Sequence, residues 1–262
     1  MKNFRPLILF VVFMLVIGLA CNAGSTDTPA QPAQPQADPI QPEPIQPEPT
    51  QPEPTEPPAP EPTEAPATQA PVEQEKYFTE EFDQDPEWDY FLTYGDEDKI
   101  TVEFEDSLMK FDLQDTGIYA YYIYEDQEYD DVRIDIRAEN RGKNNNNVSL
   151  ICRASVDGWY EFSTEGGGLW YLYAVTVNDQ NEAVYNQIDN GGAQPLKQGK
   201  EVNEFGMICD GDEITLIVNG KELKKITDTE YALSGSYVGF NISSLNVTPI
   251  IVHVDWFKIS EP

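Results

Sequence analysis

The sequence predicts an all-β fold, an antiparallel sandwich of two sheets, preceded by an export leader and a proline-rich stretch. Three observations predict it. From Tyr77 onward apolar and polar residues alternate with a period of two, the spacing of side chains on one face of a strand. Turn-forming pairs and triplets built on Gly, Asn and Asp punctuate that alternation, and no ten-residue stretch carries helical periodicity. The last 186 residues also hold 27 of the 30 aromatics, enough large apolar side chains to fill a core.

Residues 1–20 read as a signal peptide. Lys2 and Arg5 supply a positive start, and Leu7 to Ala20 an apolar run too short to span a bilayer. The run closes in Gly18-Leu19-Ala20-Cys21, which resembles the lipobox of bacterial lipoproteins, with Gly18 where that family carries leucine. The resemblance implies lipidation of Cys21, an anchor in the membrane and an extracytoplasmic location at the bacterial cell envelope. An ordinary secreted protein, with Cys21 removed or left free, is the alternative.

Residues 21–76 form a linker. Sixteen of the 21 prolines fall between Pro29 and Pro71, in repeats of Gln-Pro-Glu-Pro and Thr-Glu-Pro. Proline removes backbone donors and the segment has almost nothing apolar to bury, so a disordered, polyproline-II-like stalk is expected. At about 3.1 Å per residue it reaches roughly 130 Å when extended.

Residues 77–262 form the folded domain. Alternating or apolar runs predict strands over Ile100–Phe104, Leu108–Leu113, Ile118–Tyr124, Asp131–Arg137, Val148–Ala154, Trp159–Thr164 and Leu169–Val177. Further strands are expected over Phe205–Cys209, Glu213–Asn219, Leu223–Thr227, Tyr237–Ser243 and Ile250–Ile259. Asp157-Gly158, Gly166-Gly167-Gly168, Gly191-Gly192, Asp210-Gly211-Asp212 and Asn219-Gly220 read as the turns between them. Cys152 and Cys209 lie in strands at apolar positions. Outside the cytoplasm such a pair oxidises, and a bridge closing a loop of about 57 residues stabilises by roughly 3–4 kcal/mol. Two buried free thiols are the alternative.

The run Val148-Ser-Leu-Ile-Cys-Arg153, a turn and Trp159-Tyr-Glu-Phe162 resembles the middle of bacterial concanavalin A-like domains. Phe205-Gly-Met-Ile-Cys209, Asp212 to Gly220, Val238-Gly-Phe240 and Val254-Asp-Trp-Phe-Lys-Ile259 continue that order. Laminin G-like modules, laminarinase-type glucanases and 3-keto-disaccharide hydrolase domains share it. The resemblance implies a curved jelly roll whose concave face meets carbohydrate.

Composition narrows the chemistry. The domain has 37 acids against 13 bases, a surface that repels phosphate backbones and excludes nucleic acid as a partner. His253 is the only histidine, and no Gly-x-Ser-x-Gly elbow accompanies it. Zinc needs more ligands than the chain offers. The glucanase motif Glu-x-Asp-x-x-Glu is absent: Glu128-Tyr-Asp130 begins like it and continues Asp131-Val132-Arg133. No catalytic residue and no cofactor is assigned. Structural calcium is the one metal the composition suits, with oxygen ligands at Asp126 to Asp131 and Asp210 to Glu213.

A ligand-binding face remains. Strand parity puts Arg133, Asp135 and Arg137 on one side, opposite Ile134 and Ile136. Arg153 lies between Cys152 and Ala154; Tyr171 and Tyr173 share a face, as do His253 and Asp255. If one sheet carries all of these, they line a shallow groove suited to a sugar. Ordinary cross-strand pairing of the arginines is the alternative, and Trp88 and Trp256 are expected in the core. The reading is an anchored lipoprotein whose domain binds a glycan or similar extracellular ligand without catalysis. Its rivals are a saccharide hydrolase on the same fold and an adhesive protein-binding module. The sequence sets no oligomeric state.

Overall fold

The computed structural model describes residues 75–262, which form fifteen strands and one short 3-10 turn at Glu97–Lys99. The leader, Cys21 and the proline-rich stretch lie outside the described residues. In chain order the strands are β1 (Thr79–Glu80), β2 (Asp89–Tyr94), β3 (Ile100–Phe104), β4 (Met109–Leu113) and β5 (Tyr119–Tyr124). Then come β6 (Val132–Asn140), β7 (Asn146–Ser155), β8 (Gly158–Glu165), β9 (Leu169–Val177) and β10 (Ala183–Gly192). The last five are β11 (Val202–Asp210), β12 (Glu213–Val218), β13 (Lys221–Thr227), β14 (Tyr237–Ser244) and β15 (Ile250–Ser260).

The strands pair antiparallel in two sheets. The first has the order β13-β12-β11-β6-β15-β4-β3, with β1 also on β15; the second has the order β10-β9-β8-β7-β14-β5-β2. Two meanders, β7 to β10 and β11 to β13, and the β3–β4 pair stay within one sheet; every other connection changes sheet. This is the two-sheet antiparallel sandwich the alternation predicts, in the jelly-roll form the resemblance implies.

The main core lies between the sheets. Ile134 and Ile136 face it from the first sheet, Leu150, Phe162, Leu172 and Phe240 from the second, all fully buried. Trp88 packs against Tyr124, Phe240 and Phe257 with ring centroids 5.5, 6.2 and 5.3 Å apart. Cys152 on β7 and Cys209 on β11 form a disulfide across the sandwich, as expected, with both side chains fully buried. Asn219 and Gly220 both take positive φ (49° and 71°) and close the β12–β13 hairpin, which is what an Asn-Gly pair supplies.

Three expectations require correction. Gly191 and Gly192 are not a turn; they end β10, paired with Trp170 and Leu169. A side chain at Gly191 would press on the Trp170 indole, whose Nε1 lies 2.9 Å from where a Cβ would stand. Trp256 is half-buried and belongs to neither apolar cluster. A bulge between Val254 and Trp256 breaks the parity, so that Phe257 takes the core position. Strands β1, β2 and β10 carry no clear alternation, and the sequence alone leaves them as connections.

Candidate functional site

The outer face of the second sheet closes over itself. Its edge strands are β2 and β10, which in a flat sheet of this width would stand roughly 29 Å apart. Yet a hydrogen bond joins Thr93 Oγ1 on β2 to the Tyr185 hydroxyl on β10 at 2.8 Å. The Tyr94 and Tyr185 rings also meet, with centroids 6.2 Å apart. The sheet is therefore curled into a trough whose rims touch. Inside it a second apolar cluster forms from Tyr121, Ile123, Ile151, Ala154, Trp159 and Val175, flanked by Phe91, Tyr119, Tyr173 and Tyr185.

Small residues let aromatic side chains lie across the trough floor. Gly239, Asn241 and Ser243 on β14 and Ser149 on β7 leave room beside β5. Tyr121 on β5 thus reaches over two strands to donate its hydroxyl to Glu161 Oε2 on β8, at 2.9 Å. Tyr185 approaches from the opposite side, and the two tyrosine hydroxyls are 2.6 Å apart. Trp159 Nε1 donates to the same Glu161 oxygen at 3.2 Å. A continuous chain of hydrogen bonds therefore runs from Thr93 through Tyr185 and Tyr121 to Glu161.

Glu161 is 2% exposed, and no ion pair among the described residues includes it. Burial raises its carboxyl above the usual range, opposed by hydrogen bonds from Trp159, Tyr121 and Ser149. Burial likewise pushes the Tyr121 and Tyr185 hydroxyls well up and the Tyr173 hydroxyl to about 12, with the Glu161 charge adding to each.

Three adjoining cavities open along the trough. One of about 230 Å³ is lined by Tyr94, Tyr119, Asn147, Glu161, Ser163, Tyr173 and Tyr185. A second, about 510 Å³, shares Tyr94 and adds Phe91, Thr93, Trp159 and Glu182. A third, about 300 Å³, shares Phe91 and Trp159 and extends to Val156 and Tyr237. Another cavity, about 260 Å³, lies away from the trough around Arg153, Tyr160 and Asp228. Its polar groups hold one another: Tyr160 donates to Asp228 Oδ2, which also accepts from the backbone of Tyr231 and Ala232. These hydrogen bonds clamp the loop after β13.

The residues expected to form one groove divide between two faces. Arg133, Asp135 and Arg137 on β6, and His253 and Asp255 on β15, lie on the outer face of the first sheet. Tyr171 and Tyr173 on β9 lie on the outer face of the second, stacked at 5.8 Å. The single shared groove is thus not formed, because β6 and β15 pair with each other and not with β9. On the first sheet the charges are mutually engaged: Arg133 grips Asp135 through two hydrogen bonds of 2.8 and 2.9 Å, and Arg137 Nη1 meets Asp255 at 3.1 Å. Burial, with Arg141 and Lys110 nearby, lowers the His253 pKa. Arg153 has φ +52° within a bulge, and its guanidinium reaches Gly211 O at 2.6 Å and Asp131 at 3.4 Å. The bulge sends Cys152 into the main core and Ala154 into the trough.

Of the expected residues only Tyr173 lines the 230 Å³ cavity. Glu161, its centre, was legible in principle: Trp159-Tyr-Glu-Phe162 holds one acid among aromatics, at a position where period two allows a buried face on both sides. Tyr185 was not, since β10 lacks alternation. Among the described residues no group of three or more His, Cys, Asp or Glu converges as a metal site. Asp131 accepts the Gly211 amide, and Glu213 pairs with Lys225.

Comparison with solved structures agrees with this architecture. The chain is similar to a Bacillus subtilis protein of unknown function with a galectin-like fold, at TM-score 0.53 and 10% identity over 70% of this chain and 94% of that one. It is similar to a Bacillus licheniformis β-glucanase, at TM-score 0.51 and 13% identity over 72% and 99%. It is also similar to the GH16 protein of the Bacteroides ovatus mixed-linkage glucan PUL in complex with product, at TM-score 0.52 and 10% identity over 70% and 99%. The fold is a concanavalin A-like sandwich. At such identities the likeness reaches the fold and no further. No protein-family model matches the chain, and no curated protein does.

Proposed function

We propose that this protein binds carbohydrate in the trough of its second sheet, without transforming it, and that a lipid on Cys21 holds it at the bacterial cell envelope. The observation that carries the reading is the trough itself: a curled sheet whose cavities combine tyrosine faces with a few fixed polar groups. Aromatic rings cover the C–H faces of a sugar while carboxylate, amide and hydroxyl groups take its hydroxyls. Two fold neighbours are named as a β-glucanase and a glucan-product complex, which is consistent with a saccharide in the same place.

The charged face of the first sheet supports the reading less. Its arginines are paired, and exposed pairs of this kind are worth little beyond solubility. Hydrolysis by paired carboxylates needs two of them at one bond. In the 230 Å³ cavity Glu161 is the only carboxylate, and the hydrogen bonds from Tyr121 and Trp159 already engage it. The leader and proline-rich stretch support presentation outside the cytoplasm, where the Cys152–Cys209 bridge is chemically stable.

A glycan-array screen of the detergent-solubilised full chain, read for both binding and released sugar, tests this. The expected result is saturable binding to at least one glycan with no product. Released sugar would transfer the reading to the hydrolase, and no binding to any glycan would leave the adhesive module.

A further inference from the structure

Building on the carbohydrate reading, we infer that the cavity around Glu161 receives an ammonium group, so that the bound saccharide is an amino sugar with a free amine. This cavity holds a buried carboxylate without a counter-charge and one buried acceptor without a donor. Glu161 is a buried carboxylate facing no cation among the described residues, and the donors it does have are neutral. Asn147 Oδ1 is buried in the same cavity with no hydrogen-bond partner. Tyrosine rings make the walls: Tyr119 and Tyr185 stand 6.0 Å apart, and Tyr173 meets Tyr185 edge-on at 5.8 Å.

A neutral hydroxyl satisfies one acceptor and leaves the carboxylate charge uncompensated. An ammonium serves the carboxylate and the rings together: its charge offsets Glu161, its N–H groups donate to that carboxylate, and the ring faces attract what remains of the charge. Burial holding the Glu161 carboxyl above its usual range fits a negative charge whose counter-charge arrives with the ligand. N-acetylation would remove that charge and add bulk, so the two forms of one sugar should separate sharply.

The test is calorimetric titration of the full chain with three disaccharides of the same linkage: the free glucosamine disaccharide, its N-acetylated form and cellobiose. The glucosamine form should bind about tenfold or more tighter than the others, a preference that survives added salt. Glu161→Gln, which keeps the shape of the side chain, should abolish that preference. Tyr173→Leu, which leaves the Glu161 hydrogen bonds in place, should cut it about threefold and decides the matter if Glu161→Gln does not fold. Persistence of the preference in these variants would assign it to the acidic surface at large and overturn the inference. Equal or tighter binding of an uncharged disaccharide would overturn it while leaving the carbohydrate reading intact; failure of all three to bind would also overturn it, the carbohydrate reading itself falling only with the glycan array.

Discussion

Glu161 stands where an ionised carboxylate is costly, fully enclosed and facing neutral donors. Because the carboxylate can only accept, Tyr121 donates to it, Tyr185 must then donate to Tyr121, and Thr93 to Tyr185. One acid thus orients a chain of hydroxyls that ties both rims of the trough. The titratable groups facing it are Tyr119 and Tyr121 from β5, Tyr173 from β9 and Tyr185 from β10, all held above the usual phenol range and uncharged at ordinary pH. The pH dependence of this site is therefore that of Glu161. A carboxyl whose folded pKa is raised contributes stability fully below its unfolded value and loses it as pH rises through the folded value. Glu161→Gln cannot ionise, so its Tm should exceed the parent's at about pH 8 and the gap should close towards about pH 4. A gap that widens on acidification would contradict the account. Tyr185→Phe removes the link between Thr93 and Tyr121 and should cost about 1 kcal/mol in urea unfolding.

At the scale of the element, what the sequence displays is periodicity, and what defeats it is a bulge or an edge. Strands such as β4 and β6 are buried on one face and polar on the other, so their facing reads directly from alternation. Strand β8 is buried on both faces, so its strand character was plain while the importance of Glu161 was not. Bulges at Arg153 and before Trp256 each exchange the two faces, which parity cannot anticipate. Edge strand β10 has no buried residue and no clear alternation, so the sequence leaves it as a connection and its final glycines read as a turn. Because Gly191 lies in that strand, Ala there drives a methyl group into the Trp170 indole and should cost about 1–3 kcal/mol by denaturant midpoint, whereas a true turn glycine at negative φ would tolerate it. Strands β7 and β11 are joined by the disulfide, and the double variant Cys152→Ala, Cys209→Ala should lose roughly 3–4 kcal/mol in the same assay.

For the whole molecule, the sandwich presents two outer faces of different character. One carries paired charges in an acidic surround; the other is curled, aromatic and inset. Fold class followed from strand count and turn chemistry, because those depend on neighbours in sequence. Which residues share a face did not, because that depends on which strands pair, and antiparallel order is set by contacts distant in sequence. The charged residues of β6 and β15 stand out as side chains in the sequence, yet the curl of the second sheet, bridged by Thr93 and Tyr185, is what encloses a cavity. The most direct measurement of this assignment is a binding titration of the full chain, with a glycan that it retains, across Tyr173→Ala and Arg137→Ala. The trough predicts that Tyr173→Ala weakens binding by about tenfold or more while Arg137→Ala leaves it unchanged. Loss with Arg137→Ala and indifference to Tyr173→Ala would place the ligand on the first sheet and contradict it.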